Sequence, residues 1–440
     1  MTKPSQALPI MLTISLLAAV TAGEAGAETL AFTGATIMPV ASEPIEDGVL
    51  VIEDAEIVAV GAAGSVRVPR NAEVVDATGK VIIPGLVDSH SHIGEVAGAD
   101  RSAPIQPEAR VLDSINVRDA GFRRALAGGV TTANLMSGSG HLMSGQTIYV
   151  KLRDGNSIES IAYKRPDGRV AGGMKMANGT NPRRDPPFPG TRAKAAALVR
   201  QQFVAAQEYA AKIEAADGDA SKMPDRDLGK EALLEVLDGS RMVHHHTHRH
   251  DDILTVLRLK EEFGFRVVLH HVSEAHRVAD EIAAAGVPVS LIVIDSPGGK
   301  LEAQYTDFEN APALERAGAE VGFHTDDYVT DSRLFLRQAA FGVRAGMSRE
   351  KALEAMTLAG ARMLDLEDRI GTLERGKDAD FVVLSGDPFS VYTQVLETWV
   401  EGVKRFDRSD PDDRAVAEGG FGVLQPSTAF EFHGYAEGHR

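Results

Sequence analysis

A parallel (β/α)8 barrel, joined to a small β-sandwich built from both chain ends, is the fold class this sequence predicts. Three observations point there. Short apolar runs alternate with helical stretches between residues 82 and 364. Histidines and an aspartate fall at the ends of several of those runs. Alternating β-like runs sit at both ends of the chain. Strand–helix alternation is the signature of a parallel sheet, and in a barrel all strand ends share one rim. An open doubly wound sheet is the alternative, but no glycine-rich phosphate loop stands where that fold needs one. At 440 residues the chain is too long for one small core, and suits two or three domains or one large barrel with an appendage.

Residues 1–27 read as a secretory signal peptide. Lys3 is the only positive charge, an apolar stretch runs from Ala7 to Val20, and Ala25-Gly26-Ala27 offers a small-residue cleavage site. The competing reading is a membrane anchor, for which the apolar stretch is short, since a span takes roughly 20 residues. The mature chain is thus expected to be secreted, with the periplasm as its compartment and no membrane contact after cleavage. The chain has no cysteine, so disulfides and thiolate metal sites are excluded. A net charge of −17 argues against a nucleic-acid partner. A small-molecule substrate is the expected partner, and a homo-oligomer is compatible with the sequence.

Residues 28–83 are expected to form the first part of the sandwich, from the alternating runs at 29–40, 48–54 and 56–61. Residues 84–368 form the barrel. Its strand candidates are Ile82–Val87, Val130–Leu135, Gln146–Leu152, Gly172–Ala177, Met242–His246, Val267–His271, Val289–Ile294 and Val321–Thr325. Helices are expected at Val117–Ala127, Arg192–Ile213, Asp251–Phe263, Ser273–Ala285, Ala311–Ala317, Ser332–Gly342 and Ser348–Leu364. Residues 369–407 return to the sandwich, and 408–440 form an irregular tail. Two long polar connections, 178–191 and 215–227, are candidates for a lid or for solvated insertions.

The chemistry begins at Val81–His92. An apolar run meets Pro84-Gly85, then Asp88, His90 and His92. Two histidines two apart on a strand point the same way, which is how a divalent-metal site starts. Further candidates end other runs: Lys175, His246, His271 and Asp326. Val243–His250 holds five histidines in eight positions. His244, His246 and His248 share one strand face and His245 points away. His246 is the favoured ligand and His248 a nearby or substrate contact, against the reading of a solvated metal-scavenging loop. Asp327 is expected to be a cap or loop residue rather than a ligand.

Lys175 lies in apolar surroundings. A buried lysine needs a partner or a changed charge. Carbamylation would turn it into an anionic bridge between two metals. It could instead snorkel to the rim or hold a substrate carboxylate, and Lys151 is the rival bridge. A metal on histidine and carboxylate ligands brings the pKa of bound water to about 7. The hydroxide so formed attacks an amide-like carbon, with Asp326 shuttling the proton to the leaving nitrogen.

The segment Pro84-Gly85-Leu86-Val87-Asp88-Ser89-His90-Ser91-His92 resembles the Pro-Gly-x-x-Asp-x-His-x-His motif of the metal-dependent amidohydrolase superfamily. The likeness extends through Gly129-Val130-Thr131-Thr132 and Gly371–Asp380. Lys175–Gly179, His246–Ile253 and Val272–Ala275 are most similar to imidazolonepropionase-related amidohydrolases, whose relatives include dipeptidases. That resemblance implies a distorted TIM barrel with a composite sandwich, and His90, His92, Lys175, His246, His271 and Asp326 as ligands. One or two divalent ions are implied, zinc first, with iron, manganese and cobalt as alternatives. His141 stands where these relatives have Asn, and residues 178–181 lack an acidic residue expected near 180. With Arg249, His141 and His248 are the candidate substrate contacts. The expected activity is hydrolysis of a C–N bond in a cyclic amide, an N-acyl amino acid or a dipeptide-like substrate. The alternatives are a secreted prolidase-like dipeptidase, with Arg183, Arg184 or Arg249 holding the peptide carboxylate, and a non-catalytic metal-binding protein.

Overall fold

The computed structural model describes residues 29–96, 100–292, 300–327 and 329–420. The expected signal peptide and the end of the tail lie outside these residues. Among the described residues, no helix is long and apolar enough to cross a membrane.

Both chain ends build one mixed sheet. Its strands are β1 (Thr29–Ile37), β2 (Ile45–Glu53), β3 (Glu56–Ala62), β4 (Glu73–Asp76) and β5 (Val81–Pro84). The central strands follow: β6 (Leu86–Ser91), β7 (Val130–Leu135), β8 (Met143–Gln146), β9 (Ile148–Lys151), β10 (Met174–Ala177), β11 (Val243–Thr247), β12 (Val267–His271), β13 (Val289–Leu291) and β14 (Val321–Phe323). The chain closes with β15 (Phe381–Leu384), β16 (Val395–Val400) and β17 (Val403–Asp407). The terminal sheet runs β17-β16-β15-β5-β1-β2-β3, with β4 also on β1. The two chain ends therefore pair with each other as expected, in one sheet that forks. The fork arises at β1, where Leu30–Thr33 pair with β4 and Thr36–Ile37 with β5. Phe32, Phe381 and Trp399 pack ring against ring at its centre.

The central strands divide into a six-stranded sheet, β14-β13-β12-β11-β10-β8, and a three-stranded one, β6-β7-β9. Two of the eight expected strands need correcting. The run Ile82–Val87 is two strands: Pro84-Gly85 passes the chain from the terminal sheet (β5) to a central one (β6). The run Gln146–Leu152 belongs to a strand broken at Thr147, whose halves are antiparallel to β7 and to β10. It is not a parallel stave, because the loop from β7 is a hairpin-like return rather than a helical crossover. The remaining pairs in these sheets are parallel. β10, β11 and β12 are buried along their whole length, as strands covered on both faces must be.

At the seam between β6 and β14, Asp88 accepts from Thr325 N at 3.0 Å and Thr325 Oγ1 at 2.5 Å. Asp326 N donates to His90 O at 2.9 Å. The metal-type residues of the first and last strands are thus tied together by backbone.

Helices match their capping signals. Asp119, Thr191, Asp227, Ser348 and Asp410 each accept a backbone N–H of the first turn they precede. Asp227 starts Leu228–Leu237, a helix beyond those expected from the sequence. The expected helix Ser348–Leu364 breaks at Thr357 into Arg349–Met356 and Leu358–Met363. The tail is not wholly irregular: Asp410 caps Pro411–Glu418, whose Val416 is buried.

Lys151, the rival bridging residue, belongs to a different cluster. Its ammonium meets Asp378, Asp380 at 3.1 Å and Glu401 at 3.6 Å, where β9 abuts the terminal sheet. Burial alone would lower its pKa, but Asp380 and Asp378 more than offset this and hold it above the ordinary lysine value. Lys151→Met leaves the buried Asp380 carboxylate without a counter-charge, while Asp378 keeps Arg369 and Glu401 keeps Arg153, and is expected to cost about 3–5 kcal/mol. Urea unfolding of the variant measures it. A loss under about 1 kcal/mol would show the cluster to be dispensable.

Candidate metal centre

The rim residues arrive from separate strands. His90 lies in β6 and His92 directly after it. Lys175 comes from β10, His246 from β11, His271 from the end of β12, and Asp326 from the turn after β14. Asp326 is the meeting point. Its Oδ1 is 2.9 Å from His92 Nε2 and 3.3 Å from His90 Nε2, and its Oδ2 is 3.8 Å from His271 Nδ1. Lys175 Nζ is 3.1 Å from His90 Nε2 and 3.1 Å from Met136 Sδ. The His246 ring packs 4.4 Å from that of His271 and 4.7 Å from that of His248. Sequence reasoning therefore named residues that the fold gathers into one cluster.

The backbone there is strained. His271, Val272 and Asp326 have φ of +71°, +41° and +49°. Each such conformation costs of order 1–3 kcal/mol for a residue with a Cβ. The bond from Asp326 N to His90 O and that from Val272 N to Thr247 O hold two of these in place.

Electrostatics keep the cluster ready for a cation. Burial pushes His90, His246, His248 and His271 well below the ordinary histidine value, and nearby cations add to it. They are neutral imidazoles with lone pairs to give. Burial pulls Lys175 down to about 7. Burial would raise Asp326, but the hydrogen bond and charge of His92 outweigh it, so it stays an anion below the usual aspartate value.

The donor set fits a divalent ion. The ligand atoms of His90, His271 and Asp326 lie within 4.8 Å of one another, as do those of His246, His248 and Glu302. The Nε2 atoms of His248 and His271 are buried with no hydrogen-bond partner among the described residues. Buried nitrogens are rarely left so, and a cation would satisfy them.

Glu302 is a site residue that sequence reasoning missed. Its carboxylate accepts from Thr180 N at 2.7 Å and sits where a Cβ on Gly179 would collide with it. It supplies in space the acid that residues 178–181 lack in sequence. No local signal marks it, because it reaches the cluster from another loop. Lys300 Nζ lies between, 3.4 Å from His246 Nε2 and 3.6 Å from Glu302.

Other expectations fare differently. The His-rich run is no solvated loop: His244, His245, His246 and His248 are all buried. His245 stands apart from the metal-type clusters, as its strand phase predicts. Lys175 does not snorkel, being fully buried. His141 packs its ring 5.6 Å from Phe188 in the loop after β7, outside the clusters. Arg249 is ion-paired with Asp251 at 2.8 Å. It lines a cavity of about 260 Å³ with Thr180, Arg183, Arg192, Arg277 and Glu302. Asp327 is buried, holding Ser332 and Arg124 rather than joining the cluster.

The Amidohydrolase family profile matches residues 81–408. An amidohydrolase of known structure from Thermotoga maritima MSB8 is 34% identical, over 86% of this chain and 100% of that one, with a TM-score of 0.79. The imidazolonepropionase of Rhizobium rhizogenes is 25% identical over 78% of this chain and 87% of that protein. Amidohydrolase tasK of Hapsidospora irregularis is 28% identical over 78% of this chain, which spans only 38% of that relative. These similarities remove the non-catalytic reading, and the histidines gathered around Asp326 lie within the matched segment: the chain belongs to the amidohydrolase family of metal-dependent hydrolases.

Proposed function

We propose that this hydrolase cleaves a C–N bond in a substrate that carries a carboxylate, an N-acyl amino acid or a dipeptide in preference to a simple cyclic amide. The observation that carries the reaction type is the partly buried Asp326 carboxylate, 2.9 Å from His92 and 3.3 Å from His90. The proposed ligands are His90, His92, Lys175, His246, His271 and Asp326, for one or two ions with zinc first. When bound, such an ion supplies an acidified water and a Lewis acid for the carbonyl oxygen.

The chain's own residues do the rest. Asp326 is ionised and can accept the proton that the attacking water sheds, then return it to the leaving nitrogen. His92 holds that carboxylate in place. The arginine-lined cavity beside Glu302 supports the carboxylate preference, with Arg183 and Arg249 as its contacts and His248 nearer the reacting group; His141 is a further substrate contact proposed from the sequence alone. The imidazolonepropionase likeness supports the cyclic-amide alternative. In the architecture we propose, the two central sheets wrap into one distorted barrel, joined at Thr147 and at the Asp88–Thr325 seam, flanked by a composite sandwich with divisions at 83/84, 368/369 and 407/408. Export to the periplasm is proposed from residues 1–27 alone.

The test is hydrolysis of matched substrates, free acid against carboxamide, by metal-loaded and chelated protein. Arg183→Gln is expected to raise KM for the free acid about 10-fold with kcat little changed, the loss of one charge-assisted bond. Equal turnover of both substrates would remove the carboxylate subsite and return the search to cyclic amides.

A further inference from the structure

Beneath the metal-type cluster lies a file of polar side chains that the proposed reaction does not use. His90 Nδ1 is 3.2 Å from His270 Nδ1. His270 Nε2 is 3.0 Å from His244 Nδ1. His244 Nε2 is 3.0 Å from Tyr149 Oη. All of these side chains are buried in positions where a barrel core ordinarily carries branched aliphatic residues. Room is made for them: a Cβ on Gly173 would stand 2.3 Å from His244 Cδ2.

We infer that His270 is a positioning residue for the metal centre, and that His244 and Tyr149 fix its orientation in turn. The inference rests on the proposed role of His90 as a ligand. His90 turns Nε2 toward the point where Asp326 and Lys175 converge, and as a ligand it offers the lone pair of that nitrogen. Its proton then sits on Nδ1, and a hydrogen bond between two Nδ1 atoms needs one donor and one acceptor. His270 Nδ1 is therefore the acceptor, and its own proton sits on Nε2. That proton is donated to His244 Nδ1, which leaves the His244 proton on Nε2, donating to Tyr149 Oη. One assignment runs through the file, and it holds His90 in the tautomer that ligates through Nε2. Partners that orient a ligating histidine in this way commonly change metal affinity 10–100-fold when lost.

The experiment compares His270→Leu with His270→Asn in the full chain. Asn places an oxygen acceptor where Nδ1 stands, whereas Leu fills the space without one. The probes are Zn(II) affinity by chelator competition and the visible spectrum of the Co(II)-loaded protein, with melting of the metal-free protein as the folding control. His270→Leu is expected to weaken Zn(II) binding about 10–100-fold and to shift the Co(II) bands. His270→Asn is expected to stay near wild type in both. Equal behaviour of the two variants, or an unchanged affinity in His270→Leu, overturns the inference. If neither variant folds, Tyr149→Phe decides: a weaker Zn(II) affinity at unchanged metal-free melting supports it, and an unchanged affinity overturns it. A wild-type chain that takes up no divalent ion would overturn the metal-centre reading itself, and this inference with it.

Discussion

Asp326→Asn is expected to lower kcat about 10³-fold, the range for losing a general base, while most of the bound metal stays in place. Asn keeps the shape and one oxygen, so the contact with His92 at 2.9 Å can persist. What it cannot do is accept a proton. The native carboxylate is suited to that task because His92, His324 and Lys175 hold it ionised against its own burial. The backbone φ of +49° there is held by the bond to His90 O, which the substitution does not touch. Elemental analysis alongside steady-state kinetics separates two roles. Activity falling only in proportion to metal content would make Asp326 a ligand and nothing more.

That Asp326, His90, His92, Lys175, His246 and His271 could be named in advance follows from their position at the ends of apolar runs. Strand phase and strand end are local properties, and local sequence carries them. The direction of the strand around Thr147 is not local, since it depends on how the loop after β7 folds back. In sequence Pro84-Gly85 is an interruption within one apolar run, whereas in the structure it is a crossing between sheets that only the pairing of β5 with β15 reveals. The β16–β17 hairpin also escaped notice. Its turn is Glu401-Gly402, both at positive φ, a non-glycine residue taking the first left-handed place. Glu302 and His270 escaped for a further reason. Each acts on a residue from a different strand, and a cross-strand partnership leaves no spacing in the chain.

Lys175→Met is expected to move two properties in opposite directions. The ammonium is fully buried, and the anion nearest it in effect, Asp326, only partly counters that burial, so the native pKa falls to about 7 from 10.5. Between those values the unfolded chain holds a proton that the native state has shed. Stability from this group therefore rises with pH across about 7 to 10.5, and the penalty is full below about 7. Replacing the lysine by an apolar side chain of similar length should stabilise the metal-free protein by about 1–4 kcal/mol near pH 6. It should also flatten the rise of stability from pH 7 to 10. Yet the same pKa leaves a neutral amine available near pH 7, and an amine in that state adds to CO₂, releasing one proton to give a carbamate. If that carbamate bridges two ions, Lys175→Met lowers metal content from about two per chain to about one, and bicarbonate during expression raises it only in the wild type. A more stable protein that binds less metal is the mark of a residue kept for its site rather than its packing. A variant with unchanged metal content would remove the bridging role, and leave Lys175 beside His90 as a contact for substrate alone.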